Sequence, residues 1–532
     1  RRGISFMSEK FILAHDMGTS SNKAMLVTVY GEIIDSTKKE YQLYVPKPGF
    51  AEQEPYDWWD AVCETSLAVI EKTKVNPQDI VGVAFSSQMQ GLVLVDKDGK
   101  PLRRAISWVD TRAGDIMRDR IWTQPRIMGY NIFRLIKFLT ITGGSPGLAG
   151  KDIIGKILWL EKHEPEICAA TYKYLDPKDF IIYLLTGNYV KSTDLAVVWW
   201  LMDTRHRRNC WNKRLCKMAG IDINKLPEVK ESGAIAGTIT EEAARLTGLL
   251  PGTPVITGAG DISASALGSG AIENGQLHVR IGTSGGVAGH FTKRKIDLAH
   301  YAGCIGSAFP QKYYLGIGTQ DTMGICLEWV KQKVIYHSEK LREEHKVDKI
   351  YQILDILVQR VKPGADGLIF TPWLAGERCP LNDDTLRGGL YNLGLSQTRD
   401  HIIRAVFEGI AMNARWAMET MEKLFKPVQT LNIVGGGAMS EVWCQIMADV
   451  MNRPINQVSD PQQAAGRGVA LLASWSLGYI KTFEDIAKYI KIRKTFYPNP
   501  ENRQLYDRQF KAFKMLYKQN RKWYAMMNSQ NK

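Results

Sequence analysis

A chain of 532 residues exceeds what one hydrophobic core normally serves, so two large domains with a ligand cleft between them are expected. With 45% hydrophobic and 23% charged residues, it falls outside the disordered and fibrous classes. The formal net charge of +14 is spread along the chain without a Lys/Arg run or an aromatic-plus-basic module, which argues for attraction of anionic nucleotides and against nucleic-acid binding.

Taken in order, Phe11 to Asp16 reads as a strand, Met17-Gly18-Thr19-Ser20-Ser21 as a turn, Lys23 to Tyr30 as a second strand and Glu32 to Ser36 as a third. Gln53 to Glu71 has helical spacing, with Trp58, Ala61, Val62, Leu67 and Ile70 forming one apolar stripe. Ile80 to Phe85 is a buried-strand run ending at Gln88-Met89-Gln90, Leu92 to Val95 is another strand, and Ala105 to Trp108 leads into Asp110-Thr111-Arg112. Polar residues at several strand ends suit a polyol, because ligands of open α/β sheets sit beyond such ends. Trp122 to Lys151 mixes apolar and basic residues, and a packed helix or a substrate lid is favoured there over an interfacial membrane helix. Helices are expected at Ile153 to Lys162, Asp179 to Leu185 and Glu241 to Leu246.

The chain converges on Val255 to His290. A short apolar run ending in Gly258-Ala259-Gly260-Asp261 predicts a strand whose last residue is an accessible carboxylate, a good place for a general base. Leu277 to Ile281 followed by Gly282-Thr283-Ser284-Gly285-Gly286 predicts a strand and a turn whose N–H groups and hydroxyls wrap a phosphate. A base beside a phosphate cradle implies phosphoryl transfer to a hydroxyl. The Gly-Thr-Ser turn repeats that of Gly18-Thr19-Ser20 about half a chain away, which suggests two similar domains facing a nucleotide.

Further on, Tyr313 to Gly318 is strand-like, Met323 to Lys333 helical, and His401 to Leu424 a long core helix. Leu431 to Val434 is a strand, Gly435-Gly436-Gly437-Ala438 a bend that lets a flat ring or phosphate approach the backbone, and Glu441 to Met451 a helix. Helices from Ala464 to Trp475 and from Asn502 to Met526 close the chain. The eight cysteines show no Cys-x-x-Cys spacing, which argues against zinc and iron–sulfur sites. The residues from Arg1 to Lys10 lack a signal-peptide core, and no apolar segment is long enough to span a bilayer. A reducing, cytoplasmic setting without stable membrane insertion is expected; Met7 is a candidate natural start.

Asp16-Met17-Gly18-Thr19-Ser20, Gln88-Met89, Trp108 to Arg112, Gly258 to Asp261, Gly282 to Gly285, Gly376-Glu377-Arg378-Cys379-Pro380, Gly389 to Glu408 and Gly435 to Ala438, in this order and spacing, resemble the FGGY family of carbohydrate kinases, most closely its xylulokinase-like members. The resemblance implies an α/β fold of two actin-like, ribonuclease-H-like ATPase domains closing over ATP, Mg²⁺ and a sugar. It implies Asp261 as catalytic base, and Asp16 with Asp261 as the metal site. The sugar would be met by Gln88, Met89, Gln90, Trp108, Asp110, Arg112 and Asp261, and the nucleotide by Gly18, Thr19, Ser20, Gly282, Thr283, Ser284, Gly436, Gly437 and Ala438. The expected domains are 10–254 for the sugar, 255–487 for the nucleotide and a helical tail at 488–532.

Four features depart from the family pattern: Gln90 where Met-His is usual, Ile262 after the base, apolar Val197, Val198 and Trp199 after Asp194, and the apolar stretch at 122–151. The expected activity is ATP-dependent phosphorylation of a ketopentose, xylulose first, with ribulose, gluconate, glycerol or erythritol as alternatives. An actin-like ATPase and a non-catalytic sugar sensor are the rivals from other classes. The expected partners are a small-molecule sugar and ATP, with no nucleic acid and a homodimer left open.

Overall fold

The computed structural model describes residues 9–335 and 350–528. The candidate start at Met7 lies outside them. The chain divides into two units. One runs through Gly270 and takes back residues 305–315 and 465–489; the other holds 271–304, 316–464 and the chain from Ile490 on.

In the first unit, β1 (Phe11–Met17), β2 (Ser21–Thr28) and β3 (Ile33–Glu40) form an antiparallel meander. β4 (Ile80–Ser87) runs parallel to β1, and β5 (Pro254–Ile256) runs parallel to β4. The sheet order is β5-β4-β1-β2-β3, with Ile235–Thr238 antiparallel on the β5 edge. β1 and β4 are buried almost throughout, as inner strands covered on both faces must be. β3, with Asp35, Lys38, Lys39 and Glu40, is a charged edge. Helix α1 (Pro55–Thr73) starts on Pro55 at its first turn and ends at Lys74 in the left-handed conformation.

The buried face of α1 departs from the predicted stripe. Leu67 is 45% exposed, whereas Thr65, Ser66 and Val69 point inward. The reason is a buried polar pair on the sheet: Asn22 donates to Thr65 Oγ1 at 2.8 Å, and Ser66 Oγ lies 3.3 Å from His15 Nε2. Burial pushes the His15 ring down to about 3, so it stays neutral, stacked on Phe85.

The second unit repeats the pattern. β6 (Leu277–Ile281) and β7 (Gly285–Phe291) form the first hairpin, β8 (Tyr314–Gln320) lies beyond β7, and β9 (Leu431–Val434) and β10 (Ile455–Val458) follow parallel to β6 on its other side. Strand order in both sheets is thus third, second, first, fourth, fifth. The sheet packs on the 26-residue helix Arg399–Leu424, which is buried along most of its length.

Two expected domain borders move. The first break falls after Gly270 rather than at 254/255, because β5 and the two-residue strand Ala259–Gly260 both pair with β4. The described part of the expected tail, residues 488–528, is no separate unit. Ile492–Phe496 pairs with β10, and helix Arg503–Asn528 buries Tyr506, Phe510 and Phe513 in the second core, each contributing roughly 1.5–3 kcal/mol by burial. The stretch 122–151 lies in the first unit as a short hairpin, Arg126–Ile127 with Tyr130–Asn131, and a helix Ile132–Thr142 capped by Asn131. Phe138 is buried against Trp122, while Phe133 and Ile136 are exposed. No helix of the described residues is long and apolar enough to cross a membrane.

Candidate active site

Three parallel strand ends lie abreast in the first unit. The register sets Asp16 beside Ser86 and Ser86 beside Ala259, so β1, β4 and Ala259–Gly260 run out together at Met17, Ser87 and Gly260. With neighbouring strands about 4.8 Å apart, Asp16 and the start of the segment bearing Asp261 are two strand spacings apart. Asp261 is not the last residue of a strand, as expected, but the first of an eight-residue helix, Asp261–Gly268, where the N-terminal N–H groups favour a carboxylate.

The turn before Asp261 has no room for side chains. Gly258 sits at φ +72°, and a Cβ there would lie 2.3 Å from Phe85 O. At Gly260 a Cβ would meet Met89 Cγ and Sδ at 2.9 Å, so Met89 lies directly against the turn before Asp261. Asp194, fully buried, accepts the Gly260 N–H at 2.8 Å and the Ser232 hydroxyl at 3.1 Å.

The Gly18-Thr19 turn is held from three sides. Tyr41 OH donates to Gly18 O at 2.6 Å, Gln53 Nε2 to Thr19 O at 2.7 Å and Trp108 Nε1 to Thr19 Oγ1 at 2.9 Å. Gln88 Nε2 donates to Gln53 Oε1 at 2.9 Å, which ties the ends of β1 and β4 together. Burial, and then the nearby Asp16 carboxylate, push the Tyr41 phenol upward, so it stays a donor at neutral pH. Thus the structure brings Asp16, Gly18, Thr19, Gln88, Met89, Trp108 and Asp261 to the same end of one sheet.

Asp110, Arg112 and Gln90 are committed elsewhere. Asp110 Oδ2 accepts the Ala51 N–H at 2.6 Å and Arg112 Nη2 at 2.8 Å, and Arg112 Nη2 also reaches Glu52 at 2.7 Å. The two side chains are 0% and 1% exposed, and the guanidinium is stacked on Phe50. Gln90, at φ +61°, turns its amide to Val198 O at 3.0 Å, and its own carbonyl accepts Lys156 Nζ at 2.7 Å. Burial pulls Lys156 down to about 8. Asp152 binds the Gly147 N–H and Trp200 Nε1, both at 2.7 Å, closing this wall.

In the second unit the turn Gly282-Thr283-Ser284 is anchored on the start of helix Gly324–Trp329. Gly324 N donates to Gly282 O at 2.8 Å, and Met323 N and Ile325 N to Thr283 O at 3.2 Å. β9 pairs Val434 with Arg280, which brings the glycine bend alongside. Gly435, at φ +94°, would carry a Cβ 2.4 Å from Ile281 O, whereas at Gly436 nothing lies within 4 Å. The Ala438 side chain belongs to the core, and its carbonyl accepts Gln457 Nε2 at 2.6 Å, so only the Gly436–Gly437 backbone is offered outward.

Among the described residues no group of three or more His, Cys, Asp or Glu side chains could hold a metal by itself. Asp16 and Asp261 are the carboxylates at these strand ends that could hold Mg²⁺, an ion that would keep several waters and be completed by phosphate oxygens. Sequence reasoning missed Tyr41, Gln53, Lys178 and Ser232, which carry no motif, and gave Asp194 no role.

Comparison with known proteins identifies the family. Residues 11–268 match the N-terminal domain of FGGY carbohydrate kinases and residues 277–477 the C-terminal domain. A xylulose kinase of Bacillus subtilis is 30% identical over 510 residues, 96% of this chain and 97% of that protein. A gluconokinase of Bacillus licheniformis is 29% identical over 500 residues, 93% of each chain. Among solved structures, a ligand-bound xylulose kinase from Lactobacillus acidophilus superposes with TM-score 0.85 at 26% identity over 97% of this chain and 100% of that one. A gluconate kinase from the same organism gives the same TM-score and identity over 98% and 100%. The two units are therefore actin-like, ribonuclease-H-like ATPase domains, and the chain belongs to the FGGY family of carbohydrate kinases, phosphotransferases acting on a sugar hydroxyl.

Proposed function

We propose that this kinase transfers the γ-phosphate of ATP to a hydroxyl of a ketopentose, xylulose first, with Asp261 as general base. The observation that supports the assignment is the strand register, in which Gly260, packed against Met89, ends two strands from Asp16 with Asp261 following it in the chain. Asp261 takes the hydroxyl proton as the oxygen–phosphorus bond forms and the bond to the β-phosphate oxygen breaks, releasing ADP. Gly18, Thr19 and Ser20 serve the phosphates, and Gly282, Thr283, Ser284, Gly436 and Gly437 serve the nucleotide. Mg²⁺, held through Asp16 and Asp261, supplies charge neutralisation at the phosphates when bound.

A neutral sugar fits the wall better than an aldonate. Arg112, the one guanidinium assigned to the sugar side, is buried in its pair with Asp110 and Glu52, and Lys156 is spent on Gln90 O. Gln88, Met89 and Trp108 remain as uncharged contacts, while Asp110, Arg112 and Gln90 shape the wall through Ala51, Phe50 and Val198. The gluconokinases among the relatives make gluconate the competing substrate.

ADP release is to be measured against xylulose, ribulose, gluconate, glycerol and erythritol, for wild type and Asp261→Asn. Xylulose should give the highest kcat/KM, and the variant should lose about 10²–10⁴-fold in kcat. Sugar-dependent turnover that survives the substitution removes Asp261 as base. Gluconate as best substrate replaces the pentulose, and turnover without any sugar replaces the kinase reading by an ATPase.

A further inference from the structure

The turn Thr257–Gly260 is gripped by two buried charges that lie far away in sequence. Lys178, near the start of helix Pro177–Thr186, donates Nζ to Thr257 O at 2.6 Å, and Asp194 accepts the Gly260 N–H at 2.8 Å. Both side chains are fully buried. The grip continues outward: Ser232 Oγ donates to Asp194 at 3.1 Å, and the Gly258 amide donates to Ser232 O at 2.9 Å. Lys178 stands 3.5 Å from Asp179, which also accepts Lys191 Nζ at 2.5 Å, and that ammonium lies 3.9 Å over the Trp199 ring. Trp199, one of the apolar residues after Asp194 that depart from the family pattern, thus lines this charge network.

Stability alone is a poor reason to bury such groups, since replacing buried ion pairs by well-packed apolar residues is often neutral or stabilising. Geometry is a better one. A four-residue segment with two glycines has little stiffness of its own, yet it sets the direction in which Asp261 leaves the sheet. A displacement of about 1 Å at a reacting group can cost about 10²-fold in rate. We propose that Asp194 and Lys178 are positioning residues that fix the Thr257–Gly260 turn and thereby aim the Asp261 carboxylate. This rests on Asp261 being the base.

The test uses the full chain with ATP, Mg²⁺ and the sugar selected by the panel, and reads kcat per folded molecule, KM for ATP and melting temperature. Asp194→Ala should lower kcat about a hundredfold with KM for ATP unchanged. Asp194→Asn should restore most of it, because an amide oxygen still accepts the Gly260 N–H and the Ser232 hydroxyl can accept the amide N–H. Lys178→Met, which leaves the Asp179–Lys191 pair in place, should cost about tenfold, the equivalent of one hydrogen bond. In an Asp261→Asn background, Asp194→Ala should add nothing further. A lowered melting temperature with unchanged kcat per folded molecule, in Asp194→Ala or in Lys178→Met should the first not fold, overturns the proposal and leaves a purely structural role. An additive loss in the double variant does the same. An active Asp261→Asn instead overturns the base assignment, which separates the two failures.

Discussion

Matching the first hairpin of one unit with that of the other pairs Asp16-Met17-Gly18-Thr19-Ser20 with Arg280-Ile281-Gly282-Thr283-Ser284. The backbone pattern is the same, and the charge at the corresponding strand position is opposite. The fourth strands differ in the same spirit: β4 ends in Gln88-Met89-Gln90, rich in side-chain donors and acceptors, and β9 ends in Gly435-Gly436-Gly437, which offers backbone. Where the first unit continues its sheet into the turn before Asp261, the second continues β10 into Ser459, Asp460 and Pro461, with Pro461 O accepting the Gly435 N–H at 2.8 Å. The scaffold is thus indifferent to chemistry. Side chains at the strand ends make one copy suited to a polyol and proton transfer, and bare amides make the other suited to phosphates and a flat ring.

Breaking the charge contrast should have the largest effect. Under the proposed assignment, Asp16→Asn lowers kcat by about 10²–10³-fold and raises the Mg²⁺ concentration needed for half-maximal rate. A titration of rate against Mg²⁺ checks this; a variant with the wild-type Mg²⁺ dependence would leave Asp16 without its metal role. A smaller effect is expected from giving the second unit a side chain where it has none. At Gly436 a Cβ meets nothing within 4 Å, so Gly436→Val should leave the melting temperature in place while raising KM for ATP about tenfold. Gly435→Val, at φ +94° and 2.4 Å from Ile281 O, should destabilise the unit instead. Equal effects of the two substitutions would erase the distinction between a seat and a hinge.

The sequence made part of this visible for physical reasons. Apolar runs closed by glycine mark β1, β4, β6 and β9, and Glu441–Met451 was readable end to end because Ser440 caps it and Asn452 stops it at φ 51°. The helix Asp261–Gly268 was not readable: Asp-Ile-Ser-Ala-Ser-Ala-Leu-Gly is made of small residues without an apolar stripe. Nor were the domain borders, since the pairing of Val255 with Val83 that keeps β5 in the first unit is a long-range contact. The buried state of Lys156, Lys178 and Lys191 depends on Gln90, Thr257 and Asp176, and the locking of Asp110 depends on Ala51; no local periodicity encodes such partners. Residue types at the site could therefore be read, but which of them are tied up in holding the site could not.

A further contrast concerns two ways of keeping a carboxylate inside. The first sets Lys191 against Asp176 and Asp179, and Arg112 against Asp110. The second holds Glu377, 2% exposed, by amide N–H groups: Asp321 N and Arg378 N at 2.9 Å on Oε1, and Asn413 Nδ2 at 2.6 Å on Oε2. Burial pushes the Glu377 carboxyl up to about 8, the nearby Asp321 carboxylate adds to this, and the three donors pull against it. Between the free value of 4.5 and about 8 the folded chain therefore binds a proton that the unfolded chain has released. Its contribution is fully present below the free value and is lost as pH rises through the folded one, at about 1.4 kcal/mol per pH unit. Glu377→Gln cannot titrate, and it turns a second amide donor toward Asn413, so it should be less stable than wild type at pH 5. Urea midpoints at pH 5, 6, 7 and 8 should show that difference narrowing steadily toward alkaline pH. Parallel curves for the two proteins would mean that the amide donors hold Glu377 ionised in the folded chain, and that an amide cage can do for a buried carboxylate what Lys191 does for Asp176 and Asp179.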